Sequence, residues 1–140
     1  MNTYRTVGAM KLSVQIVDCA FGIAADNVRV CLSRRVRSDW RRVAERRTDS
    51  DGSLREWHDD TLPTGTYRIE VNLERYYADA GITPFFPRVT FEFDLVDTTS
   101  DLLIPVLVTG NSYFVCRSRH PSGVPPSAGS AAPGWSASSP

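Results

Sequence analysis

The chain is predicted to be all-β, a two-sheet sandwich of eight short strands with one short helix. Three observations predict it. Apolar and polar residues alternate with a period of two in several runs, as in "LSVQIVD" (12–18) and "GTYRIEVNL" (65–73). Turn residues punctuate these runs at regular intervals. Only "ERYYADAG" (74–81) reads as a helix, one or two turns closed by Gly81.

Each element follows from its residues. In the first strand Leu12, Val14 and Ile16 face away from Ser13, Gln15 and Val17. "GIAAD" turns the chain into a strand over 27–36, and a further strand covers 40–48. "SDG" (50–52) is a tight turn, because Gly52 tolerates positive φ. A short strand is expected over 53–57. The clearest strand, 65–73, sets Tyr67, Ile69, Val71 and Leu73 on one face. After the helix, "TPFFPRVTFEFDLV" (83–96) combines a proline corner with strict alternation. Pro84 and Pro87 stiffen the corner, and Phe91 and Phe93 are expected in the core. Strands over 101–109 and 112–119 complete the set.

Three parts are expected along the 140 residues: a loose leader (1–10), the sandwich (11–119) and a disordered tail (120–140) rich in Pro, Ser, Ala and Gly. Met10 is a second candidate start. No βαβ rhythm, phosphate loop or internal repeat occurs.

The formal net charge is zero, which points to neither a nucleic-acid nor a membrane partner. Fifteen Arg stand against one Lys, Lys11, the mark of a GC-rich coding bias. The Arg clusters at 34–37 and 41–47 flank a turn, with Asp39 between them and Glu45 in the second, so they read as a solvated hairpin tip. Three cysteines, Cys19, Cys31 and Cys116, have neither disulfide nor zinc-site spacing. No apolar run is long enough to cross a bilayer, and a cytoplasmic setting is the expectation. No cofactor and no metal are implied.

Side chains suited to catalysis are few. His120 opens the tail. His58 lies in "REWHDD", where alternation would place it beside Glu56, with Asp59 and Asp60 adjacent. A polar strand end and loop explains that cluster better than a metal pair or general base does. No serine sits in a nucleophile elbow.

Several stretches together resemble the transthyretin / 5-hydroxyisourate hydrolase family. "VQIVDCAFGIAADNVRVCL" is similar to its first two strands, "TDSDGSL" to its Asp/Glu-Gly turn, and "GTYRIEV" to its Gly-x-Tyr strand. "YYADAGITPFFP" is similar to its helix and aromatic-proline corner, and "IPVLVTGNSYFVCR" to its last hairpin. The resemblance spans 11–119 and implies a transthyretin-like (prealbumin-like) sandwich. It departs from the hydrolase members at their working residues. Gln15 stands where they have the first-strand His, and Ser53 where they have Arg. Asp101 and Leu103 replace their His-x-His pair. Of their terminal Tyr-Arg-Gly-Ser, only Arg117 remains among Cys116, Arg117, Ser118 and Arg119. Arg55, two residues after Ser53, is a candidate replacement for the missing Arg.

The resemblance also implies a homotetramer, a dimer of dimers, with a channel between dimers. By position that channel would be lined by Gln15, Val17, Ser53, Arg55, Leu103, Pro105, Leu107, Phe114 and Cys116. Such a face suits an apolar or polycyclic small molecule. Gln15 and Arg55 are the candidate catalytic residues, and the other seven bind substrate. The leading expectation is a non-hydrolytic reaction, a cyclisation or isomerisation, in bacterial specialised metabolism. Such reactions need a shaped cavity and hydrogen bonds to developing charge, not a nucleophile. The alternatives are a small-molecule carrier, a 5-hydroxyisourate hydrolase of purine catabolism, and an interaction sandwich whose tail binds a partner.

Overall fold

A computed structural model describes residues 10–55, 57–58 and 61–119. The leader (1–9), Glu56, Asp59, Asp60, His120 and the rest of the proposed tail lie outside the described residues.

Among the described residues, ten strands and one helix follow in order: β1 (Leu12–Asp18), β2 (Ile23–Ala24), β3 (Arg29–Val36), β4 (Asp39–Arg47), β5 (Ser53–Leu54), β6 (Gly65–Asn72), α1 (Glu74–Asp79), β7 (Arg88–Leu95), β8 (Leu102–Val108), β9 (Tyr113–Val115) and β10 (Ser118–Arg119). The expected two-sheet sandwich with one short helix is the observed fold. Each of the eight expected strands is present, with three refinements, of which the first is that the strand expected over 53–57 is only Ser53–Leu54. The run 112–119 divides into β9 and β10 where Cys116 faces Pro105, which has no N–H to give the ladder. The two-residue β2 is additional, and too short to leave a periodic signal.

One sheet has the order β10-β8-β1-β2, with β5 also pairing β1 and β9 also pairing β8. The other has the order β4-β3-β6-β7. β1 and β8 run parallel from Leu12↔Leu102 to Asp18↔Val108, and the remaining strand pairs are antiparallel. Alternation does what it predicted. Leu12, Val14 and Ile16 are buried against Val30, Leu32, Tyr67, Ile69 and Val71 of the facing sheet, while Ser13, Gln15 and Val17 are half-buried on the outer face.

The aromatic-proline corner is scaffold. The N–H groups of Phe85 and Phe86 both donate to the Gly110 carbonyl, at 2.8 and 3.2 Å. Phe86 packs edge-on to Tyr113 of β9, with ring centroids 5.1 Å apart. The corner therefore clamps the end of α1 to the β8–β9 turn. Phe91 and Phe93 pack against the core from its open side and are only partly buried.

Candidate functional site

The turn before β5 builds one wall of the site. Thr48 is buried, accepting from Val28 N–H at 2.9 Å and donating to the Ala25 carbonyl at 2.7 Å. Asp49 follows, and its Oδ1 accepts from the N–H groups of Asp51 (2.8 Å) and Ser53 (3.0 Å). These backbone donors hold the Asp49 carboxyl below its ordinary pKa, with Arg55 adding to the effect. Gly52 has φ +72°, and a Cβ there would lie 2.5 Å from the Ile16 carbonyl oxygen. Ile16 N–H donates to the Gly52 carbonyl at 2.8 Å. Glycine is what lets the turn come this close to β1, and the approach sets Ser53 directly opposite Gln15.

β8 builds the other wall. Lys11 N–H donates to Asp101 Oδ1 at 3.0 Å, and Leu102 N–H to the Lys11 carbonyl at 2.9 Å. These bonds start the parallel ladder and place Leu103 beside Ser13. The result is a cavity of about 380 Å³ on the outer face. Its polar lining is Lys11, Ser13, Gln15, Ser53, Arg55 and Asp101, and Val14, Leu102 and Leu103 supply the apolar part. Arg55 lies at the exposed rim, its guanidinium 3.8 Å from Asp49 Oδ2 and 3.9 Å from Asp51 Oδ2.

Of the residues expected at the site, Gln15, Ser53, Arg55 and Leu103 line this one cavity. Val17, Leu107 and Phe114 continue the same face as an apolar strip, because Val17 pairs Leu107 and Leu107 pairs Phe114. Pro105 sits beside Gln15 in the register. Cys116 instead lines a larger cleft of about 600 Å³ between the open edges of the two sheets. That cleft is walled by Phe91, Phe93, Leu95, Leu102, Ile104 and Val115. It is the roomier space and also holds charges of both signs, Asp94, Asp97, Asp101 and Arg117, yet the smaller cavity is the one that gathers Gln15, Ser53, Arg55 and Leu103.

Lys11, Ser13 and Asp101 were not among the expected site residues. Ser13 could have been found, since it shares the period-two face of Gln15. Asp101 could have been found too, since it shares the period-two face of Leu103 in the expected strand 101–109 and stands where the resemblance places a His, whereas Lys11 precedes its strand, where alternation carries no signal. The suggested Glu56–His58 pair loses its basis because β5 ends at Leu54. Trp57 beside it is a core residue, 1% exposed, donating from Nε1 to the Leu12 carbonyl at 2.9 Å. Among the described residues, no three His, Cys, Asp or Glu side chains gather to hold a metal ion.

A family model described as "Transthyretin: HIUase/Transthyretin family" matches residues 12–118. The chain belongs to the HIUase/transthyretin family. A 5-hydroxyisourate hydrolase of Caulobacter vibrioides is 31% identical over 110 residues, covering 76% of this chain and 96% of that protein. One of Salmonella typhi is 28% identical over 111 residues, covering 79% and 82%. Among solved structures, sea bream transthyretin in complex with thyroxine superposes with a TM-score of 0.73 at 25% identity, covering 78% of this chain and 95% of that one. Klebsiella pneumoniae 5-hydroxyisourate hydrolase gives 0.69 at 24%, a likeness of fold, covering 78% and 98%.

Proposed function

We propose that this HIUase/transthyretin-family protein binds a flat small molecule across the outer face of its six-stranded sheet and promotes a non-hydrolytic rearrangement of it. The ligand's polar end lies in the Gln15–Ser53–Arg55–Asp101 cavity, and its apolar rings lie along Val17, Leu107 and Phe114. One observation carries this reading: the cavity is built at the position the resemblance assigns to the hydrolase site, yet no imidazole lines it. Of the chain's two histidines, His58 is not among the lining residues and His120 lies outside those described.

What remains suits reactions that need orientation and charge stabilisation. The Gln15 amide donates and accepts, Ser53 offers a hydroxyl, and Arg55 and Lys11 favour negative charge developing on a ring oxygen. Cyclisation or isomerisation of a pre-folded substrate requires no more than this. The thyroxine complex of the sea bream relative supports an aromatic ligand on this fold. Assembly into a homotetramer would close the open face into a channel. A carrier function uses the same face without turnover.

A second reading, hydrolysis of 5-hydroxyisourate, is favoured by the names of the Caulobacter and Salmonella relatives. It would use Asp101 as the base that takes a proton from the attacking water. Following the ultraviolet decay of 5-hydroxyisourate separates the two. Decay no faster than in buffer supports the rearrangement reading. Acceleration abolished by Asp101→Asn establishes the hydrolase.

A further inference from the structure

The zero net charge conceals a strong asymmetry. Residues 29–47, the β3–β4 hairpin, carry eight Arg against Asp39 and Glu45, a local charge of +6. Glu45 pairs with Arg42 at 2.6 Å and Arg29 at 3.5 Å. Arg34, Arg35, Arg37, Arg41, Arg46 and Arg47 have no carboxylate partner among the described residues. Two pairs, Arg34↔Arg41 and Arg29↔Arg47, stand directly opposite each other across the strands. Like charges so placed are destabilising, and Arg34 Nε is buried with no hydrogen-bond partner. Protecting a sheet edge from aggregation takes a charge or two, and this hairpin holds far more.

β4 is also an edge strand, with β3 on one side and, among the described residues, no strand on the other. A bulge at Val43 resets its register between Ala44 and Arg42, so both faces of the edge are cationic. Arg41 and Arg46 share the face of Ala44, and Arg42 and Arg47 share that of Glu45. On the outer face, Trp40 is already occupied by guanidinium groups. Arg68 lies 4.4 Å and Arg35 5.9 Å from its ring centroid. That arrangement spends the aromatic face a nucleobase would stack on. A backbone edge, by contrast, is something a peptide can pair with and a nucleic acid cannot.

We propose that β4 is a docking edge for an extended acidic segment of a partner protein. The segment adds a fifth strand to the four-stranded sheet, with its Asp and Glu side chains against Arg41, Arg46 and Arg47. Main-chain hydrogen bonds hold it, and the charges select it.

A labelled peptide of alternating Glu and Thr, about twelve residues long and so able to span the nine-residue β4, is titrated with the full chain by fluorescence anisotropy at low and high salt. Saturable binding is expected, weakening as salt rises. The exposed-residue variant Arg41→Gln/Arg46→Gln/Arg47→Gln should bind at least about tenfold more weakly. So should the wild-type chain with a peptide N-methylated at alternate residues, which keeps every charge but removes the backbone donors. The last comparison does not depend on any variant folding. Equal binding of the N-methylated peptide, or equal binding of oligothymidylate of matched charge, would overturn strand addition in favour of bulk polyanion attraction. No binding at low salt would overturn the proposal outright. So would self-association abolished by the triple variant, because the occupant would then be a second copy.

Discussion

The Tyr76 hydroxyl, on α1, donates to Asp18 Oδ2 at 2.8 Å. Asp18 is buried at the end of β1, and its Oδ1 accepts from the N–H groups of Ala20 (3.0 Å) and Phe21 (3.2 Å). One carboxylate therefore caps the first turn and ties the helix to the sheet that carries the site. Tyr76→Phe should destabilise the fold by about 1–3 kcal/mol, since it leaves a buried carboxylate oxygen without its donor. Urea unfolding monitored by tryptophan fluorescence measures this.

The same contact sets an alkaline limit. Burial, and then the hydrogen bond to Asp18, raise the Tyr76 phenol well above its ordinary value, and burial pushes Tyr77 up to about 12. A tyrosine whose folded pKa is raised contributes stability that is whole below the unfolded value of 10.0. That stability is lost as pH rises through the folded value. Unfolding midpoints should stay level up to about pH 10 and then fall. In Tyr76→Phe/Tyr77→Phe the fall should be smaller.

At the acid end the sign reverses. Asp49 has a depressed folded pKa, so its contribution is present above the model-peptide value of 3.8 and is lost as pH falls through the folded value. Asp49→Asn should flatten that part of the stability profile. It should also loosen the turn that seats Ser53, which makes ligand affinity the more sensitive measurement.

Gly52→Ala should cost more than the about 1–2 kcal/mol of left-handed backbone alone, because the new methyl would overlap the Ile16 carbonyl. Shifted Gln15 and Ser53 amide resonances, with the resonances of β3 and β6 unmoved, would show that the damage is local to the site. Unmoved Gln15 and Ser53 resonances would contradict the role given to Gly52.

Arg55 is 62% exposed and its ion pairs are long, so Arg55→Ala should change stability by less than about 0.5 kcal/mol. Gln15→Ala and Arg55→Ala should nevertheless both weaken ligand binding. If Arg55→Ala binds as wild type does, the guanidinium is a surface group and not part of the site.

Much of the fold was legible in local pattern. The β1, β6 and β7 runs bury one face each, and a one-residue slip would expose every apolar side chain, so period two reports their pairing face directly. Gly52 and Gly81 were legible because few other residues tolerate positive φ. β2 and the split between β9 and β10 were not, because a two-residue strand has no period and a proline's gap in the ladder shows only against its partner strand.

Residue type and spacing thus determined the sandwich and its helix, while the family likeness and the departure at Gln15, Ser53 and Leu103 came from the resemblance that the quoted stretches carry. Tertiary structure alone decided that Lys11 and Asp101 join Gln15, Ser53 and Arg55 in one cavity, that Cys116 lines another, and that Trp57 is core. The physical reason is that β1 recruits β5 and β8 from distant parts of the chain. The parallel register and the Gly52 approach fix which side chains meet, and neither leaves a trace in the spacing of residues along the sequence.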